Sequence, residues 1–390
     1  MIPNETIFEA IDYKTNNPIH ITVKNGSIAA IQKSNKQLDP NIMIAPGLVD
    51  LQINGYQGID LNQEGLQPTE VIQMTEWLWK QGITTYYPTI ITNSNDAICG
   101  LLSTIAKACK TNNKTNQSIG GIHLEGPFLS QEDGPRGAHP SQFIQAPDWE
   151  LFSHWQKCAN GRIKMITIAP EWPGSIEFIK KCVANNIVVA IGHTAATAEQ
   201  IKQAVEAGAT ISTHLGNASH QMLPRHQNYI WEQLANDKLW TTLIADGFHL
   251  PVSLLKVFLK VKAQKTILIS DATSFAGLSP GSYTTHIGGK VELDEQGRLF
   301  MKSHPNMLAG SAHLLPWCIN HLVKEKILSL QDAWDMASLA PMRFFTGETT
   351  SAFEVGKPAD FVVIRNNNQY IKIIKTIKSG EIVFSDKDGI

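Results

Sequence analysis

Eight short apolar or β-branched runs recur between residues 48 and 272, apolar at the start and with a polar residue at the C-terminal end. They occupy 48–54, 83–89, 119–126, 163–170, 187–194, 210–217, 241–249 and 266–272. Most gaps between them hold a helix-like segment, such as 70–80, 96–110, 175–184, 199–207 and 252–261. Thr197-Ala-Glu-Gln200 has the spacing of a capping box that opens one of these helices. Strands alternating with helices imply parallel βαβ units, and eight such units predict an α/β fold, a closed (β/α)8 TIM-like barrel. An open doubly wound sheet is the alternative on this pattern alone. The polar strand ends are, in order, Gln52 with Asn54, Thr89, His123 with Glu125, Glu171, His193, His214, Asp246 with His249, and Asp271. A barrel assembles its active site on that rim. One histidine at a strand end reads first as structural; this succession of them reads as a site.

A single barrel uses about 250 residues, and the chain has 390. The remainder reads as β at both ends. Runs at 7–13, 18–23 and 27–32 surround the turn Lys24-Asn25-Gly26, a strong hairpin signal. Runs at 360–364, 370–377 and 382–384 surround Ser379-Gly380. The two ends are expected to pair into one small β unit, with the lysines of 372–378 on a solvated sheet face. A net charge of −2 gives no global field for nucleic acid or an anionic membrane, so neither is expected as a partner. No apolar run reaches about 18 residues, and the N-terminus lacks the basic and apolar regions of a signal peptide. The five cysteines include no C-x-x-C pair. Free thiols, a reducing compartment and a cytoplasmic location are therefore expected.

Glu125, His193 and His214 offer one carboxylate and two imidazoles from three strands. Two histidines, one carboxylate and an open position for water make a catalytic zinc set, which lowers the pKa of its water to about 7. Iron or manganese suits the same ligands nearly as well. Asp271, across the rim, could take a proton from that water and later give it to a leaving amine, or simply cap a helix in S-D-A-T-S. His123 is expected deeper in the barrel, supporting or packing. Gln52 and Asn54 point to one side of their strand. Barrel hydrolases with two metals often carry His-x-His there. Amides are poor transition-metal ligands beside imidazole but can hold the ligands in place by hydrogen bonds. One metal is expected rather than two.

The motifs P-G-L-V-D (46–50), H-L-E-G-P-F (123–128), G-A-H-P (137–140), G-H-T (192–194), T-H-L-G-N-A (213–218), A-D-G-F-H (245–249), S-D-A (270–272), L-A-G-S (308–311) and G-K-P-A-D-F-V-V (356–363) occur in order. Together they resemble the N-acetylglucosamine-6-phosphate deacetylases of the amidohydrolase superfamily, across nearly the whole chain. The resemblance implies a barrel over 47–349 and a small β-sandwich domain from 1–46 and 350–390. It implies hydrolysis of the acetamide of N-acetylglucosamine 6-phosphate to glucosamine 6-phosphate and acetate. Glu125, His193 and His214 would hold one divalent ion, Zn2+ before Fe2+ or Mn2+, with Asp271 as acid/base and His139 at the acetyl carbonyl. Ala138, Asn217, Ala218, Arg225, Asp246, Gly247 and His249 would surround the sugar phosphate, and Leu308, Ala309 and Gly310 the sugar. A homodimer is implied too, with Arg225 serving its own or a neighbouring subunit's site.

Four features depart from the family pattern. Thr194 stands where serine is usual, Gly216 where an aromatic precedes the asparagine, Ser219 where methionine follows, and Asp133–Arg136 form a less usual insert. All are expected to reshape the sugar pocket without touching the metal set. They leave open an epimeric substrate such as N-acetylgalactosamine 6-phosphate. A cyclic-amide hydrolase or nucleobase deaminase is disfavoured, because no lysine stands at the tip of strand 4. A catalytically dead scaffold is disfavoured by the intact metal set and Asp271.

Overall fold

The computed structural model describes residues 5–285, 289–347, 351–367 and 370–386. Eight parallel strands build the central sheet: β1 (Leu48–Ile53), β2 (Ile83–Ile91), β3 (Ile122–Glu125), β4 (Ile163–Ile168), β5 (Val188–Ile191), β6 (Ile211–Ser212), β7 (Trp240–Ile244) and β8 (Thr266–Ile269). They neighbour one another in chain order. The ring closes where the Asn54 amide donates to the Ala272 carbonyl at 2.8 Å and the Asp271 amide donates to the Gln52 carbonyl at 2.9 Å. Every residue of β1, β3 and β8 is buried. Parallel strands covered on both faces need this near-continuous apolar character.

One helix follows each strand on the outside: α1 (Pro68–Trp79), α2 (Asn95–Thr111), α3 (Trp149–Cys158), α4 (Ser175–Ala184), α5 (Ala198–Glu206), α6 (Tyr229–Ala235), α7 (Val252–Lys262) and α8 (Leu315–Lys324). Their inner stripes are set by sequence spacing. In α2 the buried residues are Ile98, Leu101, Leu102, Ile105, Ala108 and Cys109, one face at helical period. Ser94 caps α2 by accepting from the Ala97 amide, and Asp148 caps α3 by accepting from the Leu151 amide. The Thr197 box opens α5 with both of its hydrogen bonds. A short helix, Asn113–Ser118, follows α2, and Leu330–Met336 and Leu339–Thr346 complete the chain's return.

The chain ends share one seven-stranded sheet. Glu381–Ser385, Ile371–Lys378, Phe361–Asn366, Ile42–Pro46, Glu5–Asp12, Pro18–Lys24 and Ser27–Lys33 follow one another across it. The sheet rolls back on itself, since the turn at Gly26 meets Gly380 and Ala359. Its separate core includes Phe8, Ile21, Phe361 and Ile377.

Three findings differ from the expectations. Lys378 is buried at 4% exposure and pairs with Asp360 at 2.6 Å. The expected solvated face is kept at Lys372, which is exposed, and in part at Lys375, while the rest of Ile371–Lys378 packs inward and Thr376 donates to the Trp79 carbonyl. Cys99 and Cys158 form a disulfide, while Cys109, Cys182 and Cys318 are free and buried. The expectation of five free thiols fails because α2 and α3 bring together two residues 59 positions apart. Last, an unanticipated four-stranded antiparallel sheet (Gly281–Thr284, Lys290–Leu293, Leu299–Met301, His304–Leu308) is inserted between β8 and α8. It packs on its own cluster of Phe275, Val291, Leu293 and Leu299.

Candidate metal centre and cavity

Glu125 ends β3, paired with Ile91 of β2 on one side and Thr167 of β4 on the other. His193 follows β5 and His214 follows β6. Their ligand atoms converge. Glu125 Oε1 lies 3.3 Å from His193 Nε2 and 3.1 Å from His214 Nε2, and the two Nε2 atoms are 3.1 Å apart. A tetrahedral ion with bonds of about 2.0–2.1 Å spaces its ligands by roughly 3.3 Å, so the three atoms match one face of such a site. All three residues are buried.

The imidazole tautomer fits the same reading. His193 Nδ1 donates to the Pro135 carbonyl at 2.9 Å, which leaves Nε2 as a lone pair aimed at its neighbours. Burial opposes charge on Glu125, yet the two imidazoles beside it prevail and hold its carboxyl well below the usual range. Burial likewise opposes charge on His214, and Glu125 overrides it to raise the imidazole. One carboxylate oxygen and two imidazole nitrogens converge on one point in a buried pocket, an arrangement that fits a bound cation.

Pro135 belongs to the insert that was expected to leave the metal set alone. That expectation is corrected: the insert reaches the set through a backbone carbonyl, which no side-chain motif announces. Arg136 donates to the His139 carbonyl at 3.0 Å, so the insert also holds the next loop residue.

Asp271 stands just past β8. Gln52 Nε2 donates to both Glu125 Oε1 (2.8 Å) and Asp271 Oδ1 (3.1 Å), and Asn54 Nδ2 donates to Asp271 Oδ1 at 2.8 Å. Burial, and next the Glu125 charge, raise the Asp271 carboxyl to about 6. Its backbone, like that of His193 and His214, is left-handed, with φ of 47°, 50° and 29°. Non-glycine residues in that region cost about 1–3 kcal/mol each and cluster at functional sites.

His139 lies against the His193 ring, centroids 4.4 Å apart, with its Nδ1 hydrogen-bonded to Thr92 Oγ1 at 2.8 Å. Burial, then the His193 charge, push it down to about 3, so it is neutral. His249 Nδ1 donates to Asp246 Oδ2 at 2.7 Å. Asp246 also accepts from the Phe248 and His249 amides. Although burial opposes it, that pairing holds the Asp246 carboxyl low. His123 is buried below the rim, bound to Thr167 Oγ1 at 2.7 Å. Glu171 accepts from the Thr194 hydroxyl and the Ala195 amide, fixing the loop after His193.

A cavity of about 410 Å³ opens over this floor, within the roughly 300–1,000 Å³ of small-molecule sites. Asn54, Glu125, Ala138, His139, His193, His214, Asn217, Ala218, His249, Asp271 and 308–310 line it. Gln52 lies beneath its floor, and Asp246 and Gly247 lie behind His249. Arg225 does not reach it; this residue is exposed on the loop between β6 and α6. Gly216 has φ of 92°, and a Cβ there would press on Phe258 and Leu250 at 3.0–3.1 Å. Those side chains leave little room for anything larger than glycine at this position.

The sequence reading missed Asp60, Asn62, Thr273, Ser274, Phe275 and Thr285 in the lining. Asp60 and Asn62 follow the hairpin Gly55–Tyr56/Ile59–Asp60, and Asn62 bridges the Thr89 carbonyl and the Ile91 amide. The available signal was position alone, since these segments continue from the C-terminal ends of β1 and β8.

The chain matches the amidohydrolase family over residues 43–383. It is 32% identical over 357 residues to the N-acetylglucosamine-6-phosphate deacetylase of Bacillus subtilis (strain 168), covering 90% of this chain and 87% of that protein. It is 30% identical over 354 residues to the Homo sapiens protein of the same name, covering 88% and 83%. The crystal structure of N-acetylglucosamine-6-phosphate deacetylase from Pasteurella multocida superposes with a TM-score of 0.85 at 26% identity, over 98% of this chain and 100% of that one.

Proposed function

Because the chain belongs to the N-acetylglucosamine-6-phosphate deacetylases of the amidohydrolase family, we propose the following reading of its site. The enzyme hydrolyses the acetamide of N-acetylglucosamine 6-phosphate to glucosamine 6-phosphate and acetate. The observation that carries the assignment of roles is the shared amide of Gln52, which binds Glu125 and Asp271 at once on the cavity floor. It sets a proton-accepting carboxylate beside the cation-binding cluster.

Glu125, His193 and His214 hold one divalent ion, zinc before iron or manganese. When bound, that ion activates water and polarises the amide carbonyl. Asp271 takes the proton of the attacking water and returns it to the leaving amine. Asn54 and Gln52 keep Asp271 aimed and partly charged. His139, neutral in its buried niche, hydrogen-bonds the oxygen on which charge develops, a contribution of about 3–4 kcal/mol for a well-placed donor. His249, steadied by Asp246, and the Asn217–Ala218 backbone face the phosphate end. Leu308, Ala309 and Gly310 cover the sugar.

The barrel of 47–349 is the catalytic domain, and 1–46 with 350–390 form the accessory sheet domain. The enzyme works as a cytoplasmic homodimer in which the exposed Arg225 serves the neighbouring subunit's phosphate. Among the described residues no helix is long and apolar enough to cross a membrane.

A kinetic screen of N-acylated amino sugars, with and without the 6-phosphate and alongside metal quantification, tests this. N-acetylglucosamine 6-phosphate is expected to have the highest kcat/KM. Equal turnover of phosphate-free N-acetylglucosamine would sink the phosphate assignment, and a preference for the galacto epimer would replace the substrate.

A further inference from the structure

Cys99 and Cys158 face each other on the outer helical layer, away from the cavity. Their Cα atoms are 5.4 Å apart, a separation at which a disulfide opens and closes without moving backbone. His154 lies one helical turn before Cys158, with Nε2 3.7 Å from its Sγ. Both cysteines are half-buried and His154 is exposed, so small reagents reach them. The other three thiols differ. Burial raises Cys109, pushes Cys182 up to about 12 and lifts Cys318 well above the ordinary range. They remain protonated and inert.

We propose that Cys99 and Cys158 are a reversible dithiol–disulfide site, with His154 as the base serving Cys158 and a low-molecular-weight disulfide as the oxidant. His154 accepts the Cys158 proton, and the thiolate attacks one sulfur of the small disulfide. A mixed disulfide forms, and the released thiolate takes the proton from His154. Cys99 then loses its proton and attacks the Cys158 sulfur, expelling the second small thiolate, which takes that proton. The protein loses two electrons and two protons, and one small disulfide becomes two thiols.

Closing the site encloses residues 99–158, the segment that carries Glu125 and His139. The helices stay in register when it opens, because Ser103 donates to the Cys158 carbonyl at 3.3 Å and both helices share the main core. Oxidation therefore tightens the segment that holds one cation ligand without rebuilding the cavity.

The test uses the full-length enzyme equilibrated in graded ratios of reduced to oxidised glutathione, then quenched, denatured and alkylated. Intact mass should show two of the five cysteines losing alkylation together, and a non-reduced digest should link 99 to 158. The oxidised form should melt a few degrees higher, as expected for a cross-link over a long loop. Cys99→Ser should trap Cys158 as its mixed disulfide with glutathione. His154→Ala should reach the same end state about tenfold more slowly near neutral pH. Five alkylated cysteines at every ratio, or a bond that never opens, overturns the proposal. So does a Cys99→Ser protein free of mixed disulfide. A His154→Ala protein that closes at the wild-type rate removes His154 from it. A second zinc ion retained by the reduced wild type and lost in Cys99→Ser overturns it in favour of a metal site.

Discussion

The Pro135 carbonyl oxygen accepts from His193 Nδ1 at 2.9 Å, so a loop insert fixes the orientation of an imidazole in the Glu125–His193–His214 cluster. Such supporting contacts are worth about 10–100-fold in metal affinity. Replacing residues 133–136 with Gly-Gly is expected to weaken zinc binding by that factor while the fold persists. Metal titration of the stripped protein, with circular dichroism as the control, checks it. Unchanged affinity would mean that the contact is incidental.

Asp271→Asn should keep its metal and lose at least about a thousandfold in kcat. A near-wild-type rate removes Asp271 from the chemistry. The same carboxylate gives a pH dependence. Its folded value is raised to about 6, so it is protonated and idle below that pH, and kcat/KM should fall as pH drops through about 6. Asn54 donates to the charged form and lowers this value. Asn54→Ala should therefore move the acid limb to higher pH, and a limb that stays put or moves down contradicts the assignment.

Asp50 is fully buried, accepts from the Gln52 and Ser270 amides through Oδ1, and has no partner at Oδ2. Burial raises it to about 7. The folded state thus holds a proton that the unfolded state releases near pH 4. Stability should be greatest in acid with respect to this group and decline as pH rises from about 4 to 7, by on the order of 4 kcal/mol. Asp50→Asn should flatten that slope in urea titrations of the stripped protein. A variant with the wild-type slope would assign the pH dependence elsewhere.

Arg225 is exposed and outside its own chain's cavity. Arg225→Ala should raise KM for the phosphorylated substrate, with kcat less affected. If it acts across a dimer, mixing Arg225→Ala with Asp271→Asn subunits should restore activity in about a quarter of the sites, because a mixed dimer has one complete site. No recovery on mixing, with subunit exchange verified by mass, rules out service in trans.

Much of this site was written along single strands. His193, His214 and Asp271 could be picked out because each ends an apolar run, and a parallel barrel puts all such ends on one rim. Gln52 and Asn54 were legible because residues two apart on a strand share a side. The Asp60 and Thr273–Phe275 lining was not, since those residues sit in loops whose path no periodicity encodes. The sheet of 281–308 carried alternation at Val291, Leu293, Leu299 and Met301, but strands this short repeat the two-residue period too few times to mark a sheet.

The sequence by itself determined the order of strands and helices and the residue types on the rim, because burial period and helix caps are properties of neighbouring residues. Only the tertiary structure decided which groups meet. The Pro135 carbonyl has no side-chain signature, and its bond to His193 depends on how a loop folds over β5. Arg225 carried a motif position yet lies outside its own cavity, since a side chain's reach is set by loop path rather than by spacing. Cys99 and Cys158 meet because two helices pack at one angle on the barrel, and nothing local to either residue contains that angle.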